Sequence, residues 1–329
     1  MSAIDTNVTR LVGCDLPIVQ AGMSWASSDS RLPLAVSGAG GLGVLAAGPM
    51  RLPDLDRALG ELAAGTDRPY AVNLPLYRNG ADEVMDLLAA RRVPVLIASQ
   101  GGPRRYLRRF QDLGTICLHV VAGEEHAAKA VAAGVDGLVV VGAEAGGHPP
   151  AGLVSTLVTV RAVTRRFPEV PVIASGGFAD GAGLASALAL GCGAAQFGTR
   201  FLASAEANVH PAYKEAVLAA GIGDTRTVGR DLGLIRVHAN DFADRMLALE
   251  SDGADLDRRR AEFTAASLRT AAVDGDVSGG KVEMGQSAGL VDAILPAARI
   301  VVRLVAEYAA AIAAMPQVRP VTTAAGSPP

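Results

Sequence analysis

Eight short runs of apolar, mostly β-branched residues recur through the first two thirds of the chain, at 17–21, 42–47, 70–76, 93–99, 116–121, 137–141, 171–175 and 194–201. Each run is apolar at consecutive rather than alternate positions, the pattern of parallel strands covered on both faces. Between them lie Ala-, Leu- and Arg-rich stretches with helical spacing, at 52–63, 83–91, 124–133, 154–167 and 183–190. Regular strand–helix alternation predicts right-handed crossovers, in either a closed barrel or an open doubly wound sheet.

Glycine placement helps to separate the two. An open dinucleotide fold needs G-x-G-x-x-G directly after its first strand, whereas the first run here ends in Ala21-Gly22-Met23-Ser24. In a barrel the ligand loops are spread over several strand ends. Polar or glycine-rich residues follow nearly every run: Gly22-Met23, Asn73, Gln100-Gly101-Gly102, Gly146-Gly147-His148, Gly176-Gly177 and Gly198-Thr199. The expected fold is therefore an α/β protein, a (β/α)8 barrel over residues 1–222 with a small helical insert or lid. Residues 221–233 are rich in Gly, Asp, Thr and Arg, and 240–272 read as charged helix, with Asp255 to Arg260 a solvated face. The insert is placed at 223–283. A C-terminal segment, 284–318, contains an apolar helix over 291–314 that returns to the barrel, and 319–329 reads as a disordered tail.

Composition narrows the partners. The chain has 329 residues, 50% of them apolar, enough for one barrel of the usual ~250 residues with additions. Thirty basic and 33 acidic residues leave a net charge of −3 with no long run of either sign, which gives no cationic footprint for nucleic acid. Cys14, Cys117 and Cys192 stand far apart and never as C-x-x-C, which argues against metal sites and disulfides and for a reducing compartment. The N-terminus lacks the basic start and apolar stretch of a signal peptide, and no run approaches the ~20 apolar residues of a membrane span. The expectation is a cytoplasmic protein with a small-molecule partner and no metal, and a homo-oligomer remains compatible with it.

Two candidate sites stand out. Pro171 to Gly181 and Gly193 to Phe201 each end a strand in small residues, Ser175-Gly176-Gly177 and Gly198-Thr199. By count these follow strands seven and eight, where barrels commonly place a phosphate cradle of freed backbone amides. One such glycine pair reads equally as a tight turn; two on adjacent strands favour the cradle. His148 closes Gly142-Ala-Glu-Ala-Gly-Gly-His148 at the end of strand six, the face where barrels hold their ligands. A neutral imidazole there can take a proton from an acidic carbon or donate to a developing anion. His119 lies in an apolar strand and His126 on a helix, both read as core or surface, while His210 and His238 near the insert are undecided. Gln20, Met23 and Asn73 end strands one and three, where amides can meet a ring edge. Arg200 reads equally as a phosphate partner or as half of an ion pair.

Together these residues resemble the nitronate monooxygenases, formerly 2-nitropropane dioxygenases, and the related flavin-type enoyl-acyl-carrier-protein reductases. The carriers are Pro17 to Met23, Ala39-Gly-Gly-Leu-Gly43, Val72-Asn73-Leu-Pro75, Gly142 to His148, Ala174 to Gly177, Gln196 to Phe201 and Met284-Gly-Gln-Ser-Ala-Gly-Leu290. The resemblance implies FMN held by Gln20, Ala21, Gly22, Met23, Asn73, Ser175, Gly176, Gly177, Gln196, Gly198 and Thr199. It also implies His148 as the acid/base, with Gly147 and Ser287 close to substrate. The sequence departs from the family where Pro149-Pro150 follows the histidine instead of a nearby glycine. It departs again at Val120-Val121, where many members place a lysine after strand five.

The implied activity is oxidation of a nitronate or another stabilised carbanion, with O2 reoxidising the flavin. The alternative is NAD(P)H-dependent reduction of an activated C=C bond, and a third class is a non-enzymatic flavin- or nucleotide-binding barrel. An inosine-monophosphate-dehydrogenase-like chemistry would need a nucleophilic cysteine in an active-site loop, and the strand-six loop has none.

Overall fold

The computed structural model describes residues 3–316, so the predicted tail at 319–329 and the end of the segment 284–318 lie outside the described residues. All eight predicted strands form, as β1 (Ile18–Gln20), β2 (Gly43–Ala46), β3 (Tyr70–Pro75), β4 (Val95–Ser99), β5 (Ile116–Val121), β6 (Gly137–Val141), β7 (Val172–Ser175) and β8 (Ala194–Phe197). They pair in parallel in the order β1-β8-β7-β6-β5-β4-β3-β2. A bridge between Val19 and Leu42 brings β1 back to β2 and closes the barrel.

Gln20 seals that seam. Its side-chain oxygen accepts from the Val44 N–H at 2.9 Å and its amide donates to the Val44 carbonyl at 3.1 Å. With both strands short at this point, the side chain supplies hydrogen bonds that a longer ladder would have made. Gln20→Ala would leave two buried backbone groups unpaired, each costing ~1–3 kcal/mol. A loss of about 3 kcal/mol in unfolding free energy is expected from chemical denaturation, and an unchanged midpoint would refute the sealing role.

Alternation along each strand sorts the side chains. Val19, Val44, Ala71, Val95, Ile97, Leu118, Val139, Ile173 and Ala194 fill the barrel, with Val8 and Val12 of helix α1 (Asn7–Val12) joining them. Residues one step out of phase, such as Leu45, Val72 and Leu96, pack outward against the helices, consistent with strands apolar on both faces. Those helices are α2 (Arg31–Gly38), α3 (Leu52–Gly65), α4 (Ala81–Ala90), α5 (Leu107–Gln111), α6 (Glu124–Ala133), α7 (Thr156–Arg166) and α8 (Gly181–Ala189). α2 and α5 lie outside the stretches whose spacing predicts a helix.

Beyond β7 the chain departs from the simple pattern. The eighth predicted run stops at Phe197, and its remainder becomes helix α9 (Thr199–Leu202), followed by α10 (Pro211–Ala219). The stretch 221–233 is not only loop: it contains β9 (Thr225–Val228), which pairs antiparallel with β10 (Ile235–His238). The predicted charged helix at 240–272 is three helices, α11 (Asp241–Ser251), α12 (Leu256–Ala265) and α13 (Leu268–Ala272). Helix α12 buries none of its residues, in keeping with a solvated face. The hairpin and helices share a small core of Val228, Ile235, Val237, Phe242, Met246 and Ala266. Periodicity missed the hairpin because each of its strands has only four residues, of which three in β9 and two in β10 are charged or polar.

The last helix, α14 (Ala297–Ala314), packs against α8 and α2 and so fills the eighth outer position. Its approach is close: a Cβ on Gly181 would stand 2.1 Å from the Tyr308 nitrogen. The three cysteines are free and buried. Among the described residues no helix is long and apolar enough to cross a membrane, and no cluster of His, Cys, Asp and Glu could hold a metal ion.

Candidate active site

A cavity of about 740 Å³ opens at the C-terminal ends of the strands. Its floor follows from the alternation that fills the barrel: one step further along the inward-facing set come Asn73, Ile97, Val120, Val141, Ser175 and Gln196, and all six line it. Strands four to six thus contribute an apolar half, and strands three, seven and eight a polar half. The Gln196 amide donates to Ser175 Oγ at 2.9 Å, and the Asn73 amide donates to the Ile97 carbonyl at 3.0 Å. These bonds leave the Ser175 hydroxyl proton and the Gln196 and Asn73 side-chain oxygens for a ligand.

The two glycine turns meet the requirements of an anion cradle. Gly176 and Gly177 have φ of +108° and +84°, a region costly for any other residue. A Cβ on Gly176 would lie 2.8 Å from Thr156 Oγ1. The N–H groups of Gly176, Gly177 and Gly198 donate to no group among the described residues. Thr199 is nearby but its hydroxyl is engaged, accepting from the Gly285 N–H at 2.9 Å.

The His148 loop is fastened from three sides. Glu144 Oε2 accepts from the Thr156 N–H at 2.9 Å and from its hydroxyl at 2.6 Å, which ties the loop to the start of α7. From the insert, Gly147 and Arg236 exchange two backbone hydrogen bonds of 3.1 and 2.7 Å. The Arg236 guanidinium then donates to the Ala143 carbonyl at 2.9 and 3.1 Å and to Thr225 Oγ1 at 2.9 Å. Finally a strap, residues 281–287, runs from insert to barrel, and its Gln286 N–H donates to the Glu144 carbonyl at 3.0 Å.

Among the described residues His148 makes no hydrogen bond. Protein surrounds it, yet its side chain is open to the cavity, so it is accessible while crowded. The crowding, and secondarily the Lys281 ammonium, hold the imidazole below its ordinary pKa. It is therefore neutral at neutral pH, with both a lone pair and an N–H to offer.

Of the sequence candidates, Ala21, Gly22, Met23, Asn73, Gly147, His148, Ser175, Gly176, Gly177, Gln196, Gly198, Thr199 and Ser287 all line this one cavity. Gln20 does not: its amide is consumed by Val44, as described above. The Met23 backbone is also engaged, its N–H donating to Ser27 Oγ at 3.0 Å and its carbonyl accepting from the Ser27 N–H at 2.9 Å. Arg200 resolves toward pairing. It is buried away from the cavity, donating to the Ala203 and Ala293 carbonyls and lying 3.6 Å from Asp292. His119 is a core residue bonded at 3.0 Å to the Tyr106 hydroxyl, and His210 accepts from the Ala212 N–H at the start of α10. His238 Nδ1 meets the Asp224 carbonyl at 3.1 Å. None of these three is a cavity group.

Sequence reasoning missed the insert's contribution to the wall: Phe263, Arg269, Lys281 and Glu283 all face the cavity. The Lys281 ammonium sits 3.5 Å from the Phe263 ring centroid and 5.6 Å from that of Phe242. Nothing in the local pattern of the insert marks these positions, because their placement depends on how the hairpin docks.

Comparison with known proteins follows the same lines. The family profile described as nitronate monooxygenase matches residues 5–89 and 78–307. A nitronate monooxygenase of Paraburkholderia phytofirmans is 30% identical over 89% of this chain and 92% of its own length. A (3aS,4S,5R,7aS)-5-hydroxy-7a-methyl-1-oxo-octahydro-1H-indene-4-carboxyl-CoA dehydrogenase of Rhodococcus jostii is 36% identical over 70% of this chain, and the match spans 64% of that relative. Among solved structures, FabK from Thermotoga maritima superposes with a TM-score of 0.88 and 40% identity, covering 94% of this chain and 98% of that one.

Proposed function

Because this chain belongs to the nitronate monooxygenase family, we propose that it is an FMN-dependent oxidoreductase. In this reading it oxidises a small molecule at a carbon made acidic by an electron-withdrawing neighbour, a nitronate or another stabilised carbanion, with O2 as the final acceptor. The observation that carries the reading is the pairing, in one cavity, of an imidazole free of hydrogen bonds with a wall of unspent backbone amides.

The cradle fits FMN. The N–H groups of Gly176, Gly177 and Gly198 suit its phosphate, since a Cβ at Gly176 would strike Thr156. Ala21, Gly22, the Met23 side chain, Asn73, Ser175 and Gln196 would hold the ring system. A bound flavin supplies the electron acceptance that amino acids cannot. The chain's own part is to orient and to move protons. Where the substrate arrives as the protonated carbon acid, neutral His148 takes the proton that converts it to the carbanion; Arg236 fixes the loop that presents the imidazole, and Ile97, Val120 and Val141 keep one side of the floor dry.

A second reading, NAD(P)H-dependent reduction of an activated C=C bond, is favoured by Val120. It faces the cavity at the strand-five end where the family resemblance implies a lysine in many members, so a substrate anion finds no cation on strand five. The purified protein should be yellow, or become so with FMN. Anaerobic stopped-flow mixing then separates the readings: bleaching by propionate 3-nitronate and not by nicotinamides supports the first, and rapid bleaching by NADH or NADPH alone supports the second.

A further inference from the structure

One cavity group has no part in the chemistry so far. Glu283 lies on the strap, and its Oε2 stands 3.0 Å from the place a Cβ on Gly147 would occupy, so the carboxyl packs against the backbone next to His148. It lines the cavity, and among the described residues it accepts no hydrogen bond and forms no salt bridge. A carboxyl committed to structure would be bonded, as Glu144 is to Thr156. The Glu283 main chain, by contrast, is anchored: its carbonyl accepts from the Tyr213 hydroxyl at 2.8 Å. The strap thus holds the residue firmly while leaving its side chain free to meet a ligand.

We propose that Glu283 is a second catalytic group of this site: its carboxylic acid hydrogen-bonds the oxygen of a neutral ketone or thioester substrate while His148 takes the proton from the adjacent carbon. The inference rests on the reading of His148 as the proton acceptor. The step balances without an oxidant. The C–H electron pair becomes the new C=C bond, the C=O π pair moves onto oxygen, the proton passes to the imidazole, and the resulting enolate oxygen is held by the Glu283 O–H.

The surroundings favour the acid form. Burial pushes the Glu283 carboxyl up to about 7, with the Lys281 ammonium pulling it partly back. Its exposed surface looks into the cavity, so a ligand that fills the cavity deepens the burial. The other groups around it are the neutral His148 beyond Gly147, the Tyr213 phenol held protonated by burial, and Arg236 and Arg269. Arg236 is spent on Ala143 and Thr225, and Arg269 is paired with Asp274. That leaves Lys281 as the cation acting on Glu283, and its stacking on Phe263 keeps it from forming a direct bond. Two groups displaced in opposite senses, an acid pushed toward its protonated form and a base kept neutral, form a matched pair for enolisation.

The test uses FMN-loaded protein and S-crotonyl-N-acetylcysteamine, a small thioester with no titrating group. Binding is read from perturbation of the flavin absorption bands between about pH 5 and about pH 9, a span that brackets a carboxyl displaced from its usual range. In wild type the Kd should be constant on the acid side and rise about tenfold per pH unit above the Glu283 pKa, because only the protonated fraction is competent. Glu283→Gln keeps a donor but cannot ionise, so its Kd should be flat with pH. Glu283→Ala should bind about tenfold more weakly on the acid side while retaining FMN, which shows that it is folded. A Glu283→Gln profile that superimposes on wild type overturns the proposal, as does a yellow wild-type protein that never binds the thioester. A protein that takes up no FMN brings down the functional reading itself, and the two failures are told apart by colour alone.

Discussion

His148→Ala is expected to lower turnover by ~10²–10⁴-fold, the range for removal of a positioned acid/base, while the protein still binds its flavin. The separation of the two effects is the point. The amides of Gly176, Gly177 and Gly198 that suit the cofactor phosphate belong to the turns after β7 and β8; these turns pack against Glu144 and Thr156, but none of the amides hydrogen-bonds the imidazole or its loop fastenings among the described residues. The imidazole makes no hydrogen bond to any described residue, so truncating it strands no partner among them and costs little stability. A matched fall in flavin content would move His148 from the proton to the cofactor. The pH profile gives a second check. Burial holds the imidazole below its ordinary pKa, so the basic form persists to lower pH than for a free histidine. The acid limb of kcat/KM should accordingly fall below the usual histidine range of about 6.5, and it should vanish from the residual activity of His148→Ala.

The barrel was legible because its information is local. Eight apolar runs sit at their places in the chain, and alternation within each run also fixes which residues reach the cavity floor. Asn73, Ser175 and Gln196 are inward-facing at strand ends for the same reason that Ala71, Ile173 and Ala194 fill the core. Gln20 shows the limit of that logic. It too ends a strand and is polar, but β1 and β2 are joined by a single bridge, and closing that seam takes the whole amide. Arg200 was open between phosphate and ion pair for the same reason: it follows a glycine turn, and only the start of helix α9 there decides for the pair, carrying the side chain to Asp292, away from the cavity. The insert was illegible for a different reason. Arg236, Lys281 and Glu283 acquire meaning from the docking of a short hairpin and a strap onto the His148 loop, contacts that span 93 residues in the case of Arg236 and Ala143. Hydrophobic period carries no record of such pairings.

Gly146→Ala should be among the most damaging small substitutions in the molecule, because the added methyl meets only backbone. A Cβ at Gly146 would stand 2.5 Å from the Met284 carbonyl carbon, 2.6 Å from the Gly285 nitrogen and 2.8 Å from the Met284 Cα. No rotamer change relieves such a contact, so either the His148 loop or the strap must move. If the strap moves, it gives up the Gln286 bond to the Glu144 carbonyl and the Gly285 bond to Thr199, both about half an angstrom from being lost at their 3.0 and 2.9 Å lengths. Overpacking costs ~1–3 kcal/mol and each hydrogen bond a further ~1 kcal/mol, so a loss of about 4 kcal/mol in unfolding free energy is expected. The effect on turnover should be larger than stability alone explains, because the shift separates His148 from the strap wall that faces it, and a misplacement of about 1 Å can cost ~10²-fold. Gly60→Ala, on the body of α3, is the control: nothing lies within 4 Å of its Cβ. There the methyl should stabilise by ~0.5–1 kcal/mol through helix propensity and leave kcat unchanged. Equal behaviour of the two variants in denaturation and in turnover would show that the loop and the strap are not held against each other, and that the wall of this cavity is not built as the contact at Gly146 requires.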